Sequence, residues 1–537
     1  MKLSTLALAF IGFSSIGHSQ LITPEDYAVE IEPLVITNTP GIHSYSWAKD
    51  DQGRWLIVGG RIDGLHQRQP FAAFLEADNN KFAFVIDPIN EQSWSADLSV
   101  LNAGLFEQLQ STNQEFYQRD TTLYVFGGYG FSATSSGHIT YTNITAIDIN
   151  GLTQAIVDNA SVTPYFRQIT DSRMKVTGGQ IGYLDSMFYL VGGQLFDGSY
   201  NPMGPDHGPG FTQDYTDEIR SFKLEDDGTT MSIVDYGAQT DSVNLHRRDY
   251  NMAPQIFPNG DFGFTAFSGV FDPNDLPYLN SVDITPAGYT VNNTFNQFLS
   301  QYHSAKISVY DSTALSNQTL FFGGMSQFYF DGGTLIEDTD VPFVKTISKV
   351  TRFNDGSMNE NALTYLEMPA LLGAGSEFIP TGDYLIEGEI LDINAIPNQK
   401  TLIGYIYGGI ESSDKNIFFI NDGTQSSASN TIFKVYINKS IAGYEEQEII
   451  EDLVQNMNVF PNPAKKEITI QFTVPKLSDV HYDIISTDGK ILKKDSFGIL
   501  ENGIYDSEID IRDLESGNYI VQLFNGEYLI QYKFIKK

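Results

Sequence analysis

Cysteine is absent from all 537 residues, which rules out disulfides, thiolate metal sites and thiol catalysis together. Roughly 520 residues after the N-terminal segment must therefore be held by ordinary core burial, which a chain this long supplies. Basic residues are scarce, 32 against 67 acidic ones, for a net charge of −35. Nucleic acid and anionic lipid are excluded as partners, because phosphate binding needs clustered Lys and Arg. Acidity accords with a soluble surface and is compatible with divalent-cation sites, although no metal ligand set or cofactor is assigned. Long apolar runs are missing beyond the N-terminus, so no transmembrane helix is expected. Gly-x-Ser-x-Gly, His-Glu-x-x-His, Gly-x-x-x-x-Gly-Lys and complete calcium loops are missing too, and no catalytic residue is named.

What is present begins with a secretory pattern. Lys2 gives the positive start, Leu6 to Ile16 an apolar stretch, and Gly17-His18-Ser19 a small-x-small cleavage pattern before Gln20. Residues 1–19 are read as a signal peptide, since the run is too short for a spanning helix and Ser14 and Ser15 interrupt it.

A repeat follows, in which an apolar β-rich run closes on a glycine pair. Its six instances end at Gly59-Gly60, Gly127-Gly128, Gly192-Gly193, the degenerate Ser268-Gly269, Gly323-Gly324 and Gly408-Gly409. The first positions of the pairs are spaced 68, 65, 76, 55 and 85 residues apart. β-Branched and aromatic residues suit strands covered on both faces, and paired glycines let neighbouring backbones approach. Such units cannot fold singly; radial stacking would bury both faces of each small sheet.

Phe82-Ala-Phe-Val-Ile-Asp87-Pro88 and Trp94 follow the first glycine pair. With them the chain resembles the Kelch family, whose repeat joins a glycine doublet to a later aspartate-proline turn and a tryptophan. Later repeats keep the doublet and a β run such as Thr145-Ala-Ile-Asp148-Ile or Ile219-Arg-Ser-Phe-Lys-Leu, but lack the tryptophan. The resemblance implies an all-β fold: a six-bladed Kelch-like β-propeller over residues 20–440, followed by a small C-terminal β-sandwich.

Residues 441–456 are acidic and read as a linker. From Met457 the composition changes, with nine Lys and one Arg against twelve acids. Glu467-Ile-Thr-Ile-Gln-Phe and Tyr519-Ile-Val-Gln-Leu-Phe alternate as half-buried strands do, and Asp488-Gly489 and Asn525-Gly526 are turn signals. Four features stand in order: Val459-Phe-Pro461-Asn462-Pro463-Ala464, Asp488-Gly489-Lys490, Leu514-x-x-Gly517-Asn-Tyr519, and the basic end Lys533-Phe-Ile-Lys-Lys537. By these, residues 457–537 resemble the type A sorting domain of the type 9 secretion system of Bacteroidota. The resemblance implies that the secretion machinery is a partner, that the domain is removed after export, and that the mature protein is released or held at the outer-membrane surface.

Propellers bind ligands mainly at one end of the channel, so polar residues at similar distances before each doublet are the site candidates. They are His43, Glu107, Arg173, Arg248 and His303, lying 16 to 20 residues upstream. Arginines and histidines gathered at a channel rim would recognise a carboxylate or an array of sugar hydroxyls, whereas the same residues could simply tie loop backbones together. The long loop from Phe196 to Asp214, which contains His207, is a second candidate.

Galactose oxidase resembles this architecture, but its cross-linked tyrosine needs a cysteine that is absent. Bacterial sialic acid mutarotase is also a six-bladed Kelch-type propeller, and the likeness there is one of architecture alone. Asp51-Gln-Gly53-Arg-Trp55 loosely approaches a sialidase Asp box and reads more simply as a hairpin turn. The expected function is a secreted or surface propeller that binds a glycan or protein ligand. The alternatives are a carbohydrate-active enzyme, mutarotase-like or otherwise, at the channel mouth, and a purely structural adhesin.

Overall fold

The computed structural model describes residues 27–204, 207–331, 334–386, 389–440, 446–448, 457–474, 478–486, 490–501, 503–524 and 529–537. The expected signal peptide, most of the acidic linker, Gly489 of the sorting motif and the Asn525-Gly526 turn lie outside these residues. The fold is all-β and built from many small antiparallel sheets. Among the described residues, no helix is long and apolar enough to cross a membrane.

Six of the sheets repeat one plan, a four-stranded meander, which runs in sequence order in the first five. The first runs Ser46–Lys49, Trp55–Val58, Phe82–Asp87 and Gln92–Asp97. The second, third and fourth start at Glu115–Arg119, Gln180–Leu184 and Asn251–Ile256. The fifth starts at Ala305–Asp311 and carries Glu446–Glu448, from the acidic stretch, at its far edge. The sixth combines Leu371–Pro380, Lys400–Ser412 and Ile432–Asn438 with Ala28–Leu34, which pairs from Ala28↔Asn438 to Leu34↔Ile432. A strand from the start of the described chain thus completes the sheet formed last.

Local chemistry makes the hairpins. Asp185 and Ser186, both left-handed, join Leu184 to Met187 as a two-residue loop whose twist suits the strands. Asp50 accepts from the N–H groups of Gln52 and Arg54, so the loose Asp-box match at Asp51–Trp55 is a strand-to-strand turn.

Each sheet shares a core with the next. Leu56 and Val85 of the first pack with Leu123 and Ile147 of the second, and Phe126 of the second with Phe188 and Phe222 of the third. Val191 of the third meets Met252 and Val282 of the fourth, and Phe267 of the fourth meets Phe321 of the fifth. Ile307 of the fifth packs with Phe378 and Ile406 of the sixth, and Tyr405 and Tyr407 of the sixth return to Tyr45 and Trp55 of the first. Trp55 is 1% exposed and meets Tyr405 edge-on at 5.1 Å, an arrangement worth about 1 kcal/mol beyond its buried area.

The glycine pairs make these seams possible. All six pairs are left-handed at both positions, Ser268 included. A Cβ on Gly127 would stand 2.1 Å from the Val176 carbonyl oxygen, and one on Gly323 1.9 Å from that of Leu372. At Gly127 and Gly323 neighbouring backbones approach where only glycine fits, as paired glycines imply.

The C-terminal segment forms two further sheets. One orders Asn458–Phe460, Glu467–Val474 and Gly503–Asp510, and the other Ile491–Leu500, Ser478–Ser486, Gly517–Phe524 and Leu529–Lys536. Ile468, Ile470, Phe472, Ile484 and Val521 form its fully buried core. Asn462 bridges the ends of the module: its Nδ2 donates to the Lys533 carbonyl, and its Oδ1 accepts from the Ile535 N–H. Pro461 and Pro463 flank Asn462 on either side, while Tyr519, 8% exposed, packs in the core and donates its hydroxyl proton to the Glu515 carbonyl.

Candidate functional site

One residue before or within the first strand of each of the six sheets adopts a left-handed backbone: Ser44, Asn113, Gly178, Asp249, His303 and, inside Leu371–Pro380, Gly375. Five hydrogen bonds string the six together. Gly375 donates its N–H to the His303 carbonyl at 2.7 Å, and Ser44 to Gly375 at 2.8 Å. Asn113 donates to Ser44, Gly178 to Asn113 and Asp249 to Gly178, at 3.2, 3.1 and 2.9 Å. Left-handed geometry is uncommon outside glycine and tolerated best by Asn, Asp and similar short polar residues, so its recurrence in every sheet marks a constrained position.

Around this ring the sheets deliver paired ionisable side chains. His43 is 6% exposed, and its Nε2 lies 3.8 Å from Asp63 with no hydrogen-bond partner among the described residues. Burial holds the imidazole pKa down, against the Asp63 charge. Burial also works against the Asp63 carboxylate, yet His43 and the bidentate Arg61, at 2.8 and 2.6 Å, hold its pKa at about 2. His303 Nε2 stands 3.3 Å from Glu377, and His303 is close enough to act on the charge of His43. Arg248 pairs with Asp249 and donates Nε–H to the Tyr215 hydroxyl at 3.0 Å. Burial opposes that charge, but Asp249 and Tyr215 leave its pKa raised.

Aromatic rings stand beside the charges. His66 stacks on Phe74 at 4.8 Å and meets Tyr200 edge-on at 4.5 Å, and burial pushes its pKa down to about 4, with Arg248 and Arg61 adding to the effect. Arg68 lies 4.6 Å above the Phe419 ring. Glu115, 2% exposed, accepts from the Gly179 N–H at 2.8 Å. Burial raises its pKa to about 8, so it carries a proton at neutral pH.

The structure brings His43, Arg248 and His303 to this ring and places the other two candidates elsewhere. Glu107, a candidate for the channel end, sits on the helix Ala103–Leu109 and accepts from Ser132 and Thr134. Arg173 lies on a short 3-10 turn, where it pairs with Asp171 and covers Tyr236 at 4.6 Å. His207 lies in the loop after Gln194–Gly198, where Asn201 donates to its carbonyl. Asp63, Asp249, Glu377, Tyr215 and His66 were not anticipated. No fixed spacing finds them: Asp63 and His66 stand 19 and 22 residues after Ser44, Tyr215 stands 37 after Gly178, Glu377 stands 2 after Gly375, and Asp249 is itself a ring residue.

Comparison with known proteins decides the C-terminal region. Residues 458–537 match the secretion system C-terminal sorting domain family. This sorting domain implies export through the type 9 secretion system, interaction with its machinery, and a place at the cell surface or outside the cell. No curated protein matches the chain. Among solved structures, the one titled "Structure of YjhT" covers 75% of this chain and 99% of its own, at 12% identity and a TM-score of 0.40. That likeness is too loose to transfer a site.

Proposed function

We propose that residues 20–440 form a six-bladed Kelch-like propeller that is exported by its sorting domain and binds a glycan or protein ligand at the end of the channel ringed by Ser44, Asn113, Gly178, Asp249, His303 and Gly375. Signal-peptide cleavage after Ser19 and an acidic linker at 441–456 belong to the same reading. The observation that carries it is the gathering of three pairs of ionisable side chains, His43 with Asp63, His303 with Glu377 and Arg248 with Asp249, at one left-handed ring. Buried charges are costly unless they pair, and a purely structural channel would be filled more cheaply by apolar side chains. Fixed donors and acceptors beside stacked aromatics suit a polyhydroxylated or peptide ligand.

A glycan-array and thermal-shift screen tests the reading, with Arg248→Ala and His303→Ala against Arg173→Ala as control. The expected result is a saturable ligand lost in the first two variants and kept in the third. Loss in Arg173→Ala alone, or no ligand at all, would return the ring to a structural role.

The His303–Glu377 contact favours a second reading, a carbohydrate-active enzyme. An imidazole beside a carboxylate can accept and return a proton at a sugar hydroxyl. Anomer-exchange NMR on any sugar that binds checks this: turnover abolished in His303→Asn supports it, and binding without exchange refutes it.

A further inference from the structure

Away from the ring, an open groove of about 660 Å³ lies between the first sheet and the segment around Ala428. Asn79, Asn80, Lys81, Phe82, Phe84 and Asn430 supply its chemistry. No lining residue is a carboxylate, in a chain with 67 acids. The one cation, Lys81, is bonded to Glu76 at 3.1 Å, which leaves the groove close to neutral.

Its polar and apolar parts stand side by side. Phe82 and Phe84 lie 6.0 Å apart, and Phe82 is 42% exposed. Asn79 is 4% exposed, and its Oδ1 accepts from Arg61 Nη1 at 2.8 Å. A guanidinium only donates, so this bond fixes the amide orientation. The Asn79 Nδ2 is then a donor with no partner among the described residues. Asn80 is already committed, donating to the Gly59 and Phe82 carbonyls and thereby setting the wall of the groove.

We propose that this groove binds a neutral oligosaccharide. Apolar sugar faces lie on the phenylalanine rings, and hydroxyls meet the amides of Asn79 and Asn430. An anionic ligand would find no free cation there. Strand addition by a peptide is disfavoured, because Phe84–Ile86 is paired on both sides, to Ile57–Trp55 and to Ser95–Ser93. The volume falls within the roughly 300–1,000 Å³ of small-ligand sites and suits a short oligosaccharide. The groove and the ring use different lining residues and meet at Arg61, which holds Asn79 on one side and Asp63 on the other.

Titration calorimetry of the full chain with maltotriose, cellotriose, laminaritriose and xylotriose tests it. At least one trisaccharide should saturate a single site below about 10 mM, with Phe82→Ala weakening it about tenfold and Arg248→Ala leaving it unchanged. Phe82 is exposed enough that its variant should keep the wild-type circular dichroism and melting temperature. No saturation by any of the four, or binding that survives Phe82→Ala in a folded variant, would overturn the proposal. Loss in Arg248→Ala with retention in Phe82→Ala would also overturn it, and would assign the sugar to the ring.

Discussion

Residues 27–440 and 458–537 solve the same problem, burying β-sheet faces without disulfides, in opposite ways. The C-terminal module has one core, in which Phe472 stacks between Phe497 and Tyr505 and strands alternate inward and outward. The larger body divides its apolar residues among separate clusters, each at a seam between two sheets. It also buries ionisable groups: Arg61 and Arg247 are among its largest fully buried side chains, and Glu115 and Glu360 are almost wholly enclosed. A single core depends on volume at its centre, whereas a set of seams depends on close approach at every glycine pair. The address and the site have accordingly different weak points.

The largest expected effect comes from removing 458–537. The shortened chain should be retained inside the cell envelope with none at the surface or in the medium, as cell fractionation would show. Export in its absence would break the division of labour.

Phe472→Ala should cost about 3–5 kcal/mol, the range for emptying a packed aromatic site. Calorimetry should show that loss in a transition belonging to the module alone. If the body's transition moves with it, the two regions unfold as one unit.

Gly323→Ala should cost about 3 kcal/mol in the body, since its Cβ meets the Leu372 carbonyl oxygen and its φ is +63°. Gly228→Ala is the control: φ there is +86° with nothing within 4 Å, so only backbone strain of about 1 kcal/mol remains. Equal losses in urea melts would mean that close approach between sheets is not what the glycine pairs provide.

Buried acids sharpen the contrast with pH. Burial raises the pKa of Glu115 and of Glu360 to about 8, so both hold protons in the folded state that the unfolded chain releases near its ordinary value of 4.5. Their stabilising contribution is complete below about pH 4.5 and is lost as pH rises to about 8. The body should therefore melt at lower temperature at pH 8.5 than at pH 6. Glu115→Gln and Glu360→Gln should each flatten that slope, and an unchanged slope in both would show that neither carries a proton at neutral pH.

The strands and their closing glycines were legible because they are local. Trp55–Val58, Thr122–Phe126 and Met187–Val191 each lead into a pair whose backbone needs φ above zero, and residue type records that need. Ser268 keeps the same geometry without the glycine, so the degenerate repeat could be counted with the others. The sorting region was legible for the same reason, as motifs in order over a short span.

The site was legible in part. His43, Arg248 and His303 fall at or beside ring positions, but Glu107 and Arg173 do not, because the interval from ring residue to glycine pair is not constant. Ser44, Asn113 and Gly178 precede their pairs by 15, 14 and 14 residues, whereas Asp249, His303 and Gly375 do so by 19, 20 and 33. Longer hairpin loops at 257–261 and 312–315 and the insertion around Leu385–Asp392 fill intervals that counting treats as equal. By itself the sequence determined the β-strands, their closing turns and the export address, since each depends on neighbours along the chain. Tertiary structure alone decided which side chains meet at the ring and in the groove, since those positions are fixed by hydrogen bonds between sheets tens of residues apart.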